Sequence, residues 1–309
     1  MATRRTGSRP ASPRSWPPPR SDASGRPPRP RRLTGRGVFS FSSRMSAPGS
    51  IGFPAGTLAE TAIRIAVLAR GEGWVALGKP GEVCFEDHPW QEGRPTLLGS
   101  LRAQLAAGKP EMLRLGLRDP AAVFGPEPEV DGVAIVAERD GPAAAWREAV
   151  GSGAFTFSYE FIARAEDAPE EGGLCDLPLA MDDAGRKAFV SHRNGKRAET
   201  RFAAGETAGR WRVWTARTFL PRRDQIRVHA SECGLRIAGE LRYGRSGRVT
   251  LTDTTPRGRL NKGEDRPMHR GLLLRLAEVR GKVGGAEVAV SAPAPDDFAA
   301  VLKRLGRAR

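Results

Sequence analysis

The chain has 309 residues, 39% of them apolar, enough to fill the core of one large domain or two small ones. No apolar run approaches the roughly 18 residues that a membrane-crossing helix needs. Fifty Lys and Arg against 35 Asp and Glu give a formal charge of +15, which points to a polyanionic partner and leaves RNA, DNA and anionic membrane open.

The charge is unevenly spread. Between Met1 and Met45 lie eleven arginines, no lysine, eight prolines and one acid, Asp22. So little apolar surface cannot offset the entropy of ordering, and residues 1–50 are expected to be a disordered Arg/Pro-rich tail. An RNA-attracting arm, a transit peptide and a start codon read too early each fit that composition; the reading adopted is the last, with Met45 the true start. Residues 51–309 are the expected folded body. Cys84, Cys175 and Cys233 are odd in number and far apart in the chain, and the four histidines show no ligand spacing with them. A reduced, cytoplasmic setting and no metal are expected.

In chain order, Ile63–Leu77 reads as two strands joined by a turn at Arg70–Gly73. Lys79-Pro80-Gly81 is a turn that ends the second strand. Leu97, Leu98, Leu101 and Leu105 follow helical spacing over Thr96–Ala107, with Gly108 as the stop. Val133–Ala137 is a short buried strand, and Pro142 begins a helix through Val150 that Gly151 stops. Phe155–Ala163 and Trp211–Phe219 are aromatic and β-branched and read as strands, the second with Trp211 and Val213 on one face and Arg212 on the other. The acidic, glycine-containing stretch Arg164–Asp183 reads as a solvated loop. Asp224 is placed to cap a helix over Gln225–Cys233 that buries Ile226, Ala230 and Cys233, and Asp296 a last helix burying Phe298, Val301, Leu302 and Leu305. Strands outnumber helices without regular βαβ alternation, which predicts an α+β fold.

The run Asp224-Gln225-Ile226-Arg227-Val228-His229-Ala230, followed by Gly239-Glu240-Leu241-Arg242-Tyr243-Gly244, resembles the T-H-Q-I-R-V-H and G-D-x-x-Y-G signatures of the RluA-like pseudouridine synthases. Lys79-Pro80-Gly81, Asp176-Leu177-Pro178-Leu179, Gly195–Phe202 and Met268-His269 resemble further family segments in the family's order, so the resemblance covers roughly residues 63–280. It implies a mixed, mainly antiparallel β-sheet flanked by helices, an RNA partner, ribosomal or transfer, no membrane and no cofactor. The activity implied is conversion of uridine to pseudouridine, in which the glycosidic bond to nitrogen is broken, the base turned and a bond to carbon formed, with the uridine flipped out of its stack.

The family's catalytic Asp lies in H-R-L-D. By this resemblance the motif falls on Phe124-Gly125-Pro126-Glu127, so the carboxylate would come from Glu127, one methylene longer. Such a displacement near 1 Å can cost about a hundredfold in rate. The substrate site would be completed by Tyr159 against the uracil, Ile226 as a wall and Arg227 paired with the carboxylate, while Gly125 and Phe157 stand where the family has basic residues. Two functions remain open: a synthase using Glu127, or a catalytically impaired relative that binds RNA in ribosome assembly. In the second, Glu127 is a loop acid that satisfies Arg227. Asp131 is the nearest other carboxylate, but four extended residues span more than about 10 Å. His229 reads as a packed core histidine. A hydrolase or glycosidase would need a second placed acid or an activated nucleophile, and the sequence presents neither.

Overall fold

A computed structural model describes residues 49–307 except 89, 90, 92, 167 and 255–264. The tail expected over residues 1–50 therefore lies outside the described residues up to 48, whereas Ser50 already opens the first strand.

The strands are β1 (Ser50–Phe53), β2 (Ile63–Gly71), β3 (Trp74–Lys79), β4 (Pro120–Phe124), β5 (Asp131–Glu138), β6 (Thr156–Arg164), β7 (Leu174–Cys175), β8 (Leu179–Met181), β9 (Ala188–Val190), β10 (Thr200–Ala208), β11 (Trp211–Thr218), β12 (Leu274–Val283) and β13 (Ala286–Ser291). The helices are α1 (Leu97–Ala106), α2 (Pro110–Leu113), α3 (Pro142–Gly151), α4 (Gln225–Glu232), α5 (Leu251–Thr254) and α6 (Asp296–Arg307). One sheet runs in the order β1-β2-β3-β5-β12-β6-β11-β10-β7, with β4 added beside β5 and β13 beside β12; β8 and β9 form a separate hairpin. Every pair is antiparallel except β5 with β12, which meet through Arg275 opposite Asp131 and Leu276 opposite Gly132. The α+β architecture is the one expected from the sequence.

Local chemistry explains most of the elements. The β2–β3 hairpin turns at Glu72-Gly73, where Gly73 takes a φ of 69° that a side chain would resist. Thr96 caps α1 by accepting the Gly99 N–H at 3.2 Å, and Leu97, Leu98 and Leu101 are buried while Leu105 packs at the margin. Strand β5 has no polar face because both of its sides are covered: Val133, Ile135 and Ala137 join a core with Trp146 of α3, Phe155, and Phe157 and Phe161 of β6, while Ala134 and Val136 join the core under α1.

Four expectations need correction. Arg164–Asp183 is not all solvated loop: β7 and β8 lie within it, and Cys175 is buried where β7 pairs with Thr200 and Arg201 of β10. Strand β11 alternates as expected, with Trp211 and Val213 on one face and Arg212 on the other, and both faces are covered. Trp214 and Ala216, on the face of Arg212, enter the main core, and Trp211 packs under α6 with Phe298, Val301 and Leu305. Leu302 is only half-buried there, and Cys233 likewise at the end of α4. Asp224 does not cap α4 with its side chain, for a reason that lies in the pocket described below.

The parallel contact of β5 with β12 requires a glycine. Gly132 has a φ of 133°, and a Cβ there would sit 2.2 Å from the Leu276 carbonyl oxygen, on backbone that cannot swing away. Gly132→Ala should therefore lose about 3 kcal/mol or more of unfolding free energy, or yield no soluble protein, as read by urea unfolding.

Candidate active site

The loops after β3, β4 and β11 and the middle of β6 converge on one pocket of about 190 Å3, lined by Phe85, Phe124, Glu127, Tyr159, Arg222 and Arg223 among others. One liquid water takes up about 30 Å3, so there is room for a ring-sized group. Glu127 and Tyr159, singled out from the sequence, thus line the same space. Ile226 is buried in the core next to it, and Arg227 is buried behind it on α4.

Two anchors place Glu127. It opens a turn, Glu127-Pro128-Glu129-Val130, closed by the Val130 N–H donating to the Glu127 carbonyl at 3.0 Å, with proline in the position whose fixed φ suits such a turn. The turn is then pinned by Lys79. That ammonium is buried and spends its three protons on the carbonyls of Pro80 (2.9 Å), Val83 (2.9 Å) and Pro128 (3.1 Å). Burial pulls its pKa down to about 8, despite the opposing pull of Asp131, Glu127 and other acids nearby. In the sequence Lys79 reads as a turn residue, and its place in the Lys-Pro-Gly run is the one signal that marks it.

Helix α4 meets the pocket with its N-terminus. Gln225 and His229, one helical turn apart, face β10 together. The Gln225 side-chain amide donates to the Glu199 carbonyl and the hydroxyls of Thr200 and Thr218, at 2.9, 2.9 and 3.1 Å. Both ring nitrogens of His229 are used, Nε2 on the Leu177 carbonyl and Nδ1 on the Thr200 hydroxyl, each at 2.9 Å. A carbonyl can only accept, so Nε2 carries the proton and the hydroxyl donates to Nδ1. His229 is therefore a structural histidine away from the chemistry.

Arg227 carries the charge network. Its Nε and Nη2 donate in a fork to Glu240, at 2.7 and 2.8 Å, and Nη1 to Asp224 at 3.0 Å, with Glu129 at 3.4 Å. Burial works against the charge of Glu240, yet the Arg227 hydrogen bonds, Arg227's charge and two backbone donors hold its carboxyl below the usual range. Asp224 is buried too. Its second oxygen accepts from the Tyr243 hydroxyl at 2.9 Å and lies 3.4 Å from Arg242. With its carboxylate drawn to these partners and its backbone left-handed at a φ of 53°, it cannot turn back to cap the helix.

Glu127 takes the backbone instead. Its Oε1 accepts the Asp224 N–H at 2.6 Å, and Arg227 acts on it only across space. The expected pairing of Glu127 with Arg227 is replaced by pairing of Asp224 with Arg227. Burial first, and the Asp224 carboxylate second, push the Glu127 carboxyl above the usual range, and burial with Glu127's charge does the same to the Tyr159 hydroxyl. Asp131 is turned elsewhere, accepting the Gly81 N–H at 2.5 Å.

The altered motif positions have local partners. A Cβ on Gly125 would fall 2.4 Å from the ring of Phe85, which covers that stretch of backbone, and Phe157 packs against Phe124 with ring centroids 4.5 Å apart. Among the described residues no group of three His, Cys, Asp or Glu side chains is placed to hold a metal ion.

Breaking the fork should be costly, because a buried guanidinium would keep its charge and lose its best partner. Glu240→Ala is expected to lower unfolding free energy by about 3–5 kcal/mol, measured by urea denaturation at neutral pH.

No protein-family model matches the chain. It is 30% identical over 155 residues to the RNA pseudouridine synthase 2, chloroplastic, of Oryza sativa subsp. japonica, a match that takes in 43% of this chain and 33% of the rice protein. The chain thus matches about a third of the length of that curated relative. Among solved structures it is similar to human RNA pseudouridylate synthase domain containing 4, with a TM-score of 0.59 and 18% identity over 78% of this chain and 92% of that one. Human RNA pseudouridylate synthase domain containing 1 follows with a TM-score of 0.52 and 18% identity over 75% and 84%. Over those 155 residues the chain is similar in sequence to the rice synthase, and in fold it is similar to the two human pseudouridylate synthase domain proteins.

Proposed function

We propose that the pocket receives a uridine flipped out of RNA and that the protein is a pseudouridine synthase acting through Glu127. The observation that carries this reading is the meeting of Glu127 and Tyr159, 32 positions apart in the chain, in one pocket walled by aromatic rings beside the N-terminus of α4. Aromatic walls accept the face of a planar base, and Arg222 and Arg223 at the same pocket suit the phosphate of the flipped nucleotide. The basic balance of the chain would draw RNA in and make binding fall with salt.

The reaction is an isomerisation, so its atoms balance without a co-reactant: the bond from the sugar to N1 breaks, the bond to C5 forms, and the proton leaving C5 is matched by one gained at N1. Ionised Glu127 would act on the ribosyl–uracil unit as nucleophile or base. Ribosomal or transfer RNA as the substrate, a cytoplasmic site of action and rRNA processing as the role belong to the same proposal.

The test is to incubate the full chain with unmodified ribosomal and transfer RNA and to map pseudouridine chemically. New sites are expected, with turnover falling by at least about a hundredfold in Glu127→Gln, which keeps the shape and removes the charge. Formation of pseudouridine at an equal rate by Glu127→Gln would remove Glu127 from the mechanism. No sites with RNA still bound would replace the synthase reading with that of an RNA-binding relative.

A further inference from the structure

Two carboxylates stand close together at the start of α4, and they are held differently. Asp224 has Arg227 at 3.0 Å, the Tyr243 hydroxyl at 2.9 Å and Arg242 at 3.4 Å. Glu127 has the Asp224 backbone N–H. The acid that faces the pocket is thus the one without the guanidinium, and the acid with the guanidinium is shut away from the pocket. We propose that Asp224 is a positioning residue for Glu127: its side chain holds Arg227 off the pocket, and its backbone N–H fixes the Glu127 carboxylate.

The physical argument is the balance of charges around Glu127. Arg227 has three acids to satisfy, Glu240 by a fork, Asp224 by a direct bond and Glu129 at 3.4 Å, so little of its charge is left for a fourth. Of the other cations about the pocket, Lys79 is committed to three carbonyls, Arg222 donates to the Arg197 carbonyl at 2.7 Å, and Arg223 bonds to the Gly185 carbonyl and lies 3.9 Å from Asp224, while His88 and Glu86 line the pocket with Glu127. Against these stand the Asp224 charge and burial. The hydroxyls of Tyr159, which lines the same pocket, and of Tyr243, bonded to Asp224, are both held above their usual range by burial. Burial and the Asp224 charge thus hold the Glu127 carboxyl above the usual range. Under the synthase reading, on which this inference rests, turnover rises with pH as Glu127 ionises, and the rise comes later than it would for a carboxylate bonded to arginine.

Asp224→Asn is the informative substitution, because asparagine tolerates the left-handed backbone and keeps the N–H on Glu127 while removing the like charge. The Glu127 carboxyl is followed by carbon-13 NMR in the full chain labelled at glutamate, with Glu127→Gln identifying its signal. In the wild type its midpoint should lie above the ordinary glutamate value of about 4.3, and in Asp224→Asn it should fall by about one unit or more, a tenfold change in proton affinity. The acid limb of the pH–rate profile on RNA should move the same way. An unchanged midpoint in a variant with native circular dichroism overturns the proposal. If Asp224→Asn does not fold, the wild-type midpoint decides, and a value at or below about 4.3 overturns it. The NMR shift without any pseudouridine from the wild type would sink the synthase reading and leave the role of Asp224 standing; turnover without the shift would do the reverse.

Discussion

The site is organised by the need to satisfy one buried guanidinium. Removing an arginine from water costs several kcal/mol unless its donors all find acceptors, and Arg227 recruits Asp224, Glu240 and Glu129 from three different segments to do so. Each recruited segment then positions something else. The loop of Glu240 carries Tyr243, whose hydroxyl accepts the Ala188 N–H at 3.0 Å and so ties the β8–β9 hairpin to the site. Drawing Asp224 inward forces its backbone left-handed, and this aims its N–H at Glu127. Glu129 links the same guanidinium to the turn that Glu127 opens. A charge network of this kind fixes geometry more than it adds stability.

Much of the fold could be read from the chain because its signals are local. The hairpin of β2 and β3, the capped helix α1, the apolar run of β5 and the proline at the start of α3 follow from periodicity and from residues with one dominant backbone preference. Strands β7 and β8 could not be read in that way. They are two and three residues long, flanked by acids, and exist because β10 and β9 offer edges to pair with. The side chain of Asp224 shows the same limit in another form. An Asp before a helix is a good local cap, but an ion pair with Arg227 and a hydrogen bond from Tyr243, neither visible to a local pattern, compete for the same oxygens and win.

The candidate site was legible as identities and less so as relationships. Glu127, Tyr159, Ile226 and Arg227 could be named, and the pocket gathers the first two while the others stand beside and behind it. Lys79 could be placed only as part of the Lys-Pro-Gly run, and Phe85 not at all, since a lysine bonded to three carbonyls and a ring laid over a glycine have no sequence pattern. The loss of a side chain at Gly125 looks like simple decay until Phe85 is seen to occupy its space. Any side chain at 125 would now have to displace that ring.

The longer carboxylate at Glu127 also fits its surroundings. A decayed site would leave Arg227 with an empty coordination, at the cost of an unpaired buried charge, and a loop acid with no fixed place. Here Asp224 supplies the charge that Arg227 needs, and the backbone of the same residue supplies the donor for Glu127. A neutral N–H fixes a carboxylate's position without lending it the full positive charge that a guanidinium would, so the arrangement keeps the placement of the acid while raising its affinity for a proton. A backbone N–H where a guanidinium could stand changes the acid's strength, and the turn pinned by Lys79 holds Glu127 at the pocket.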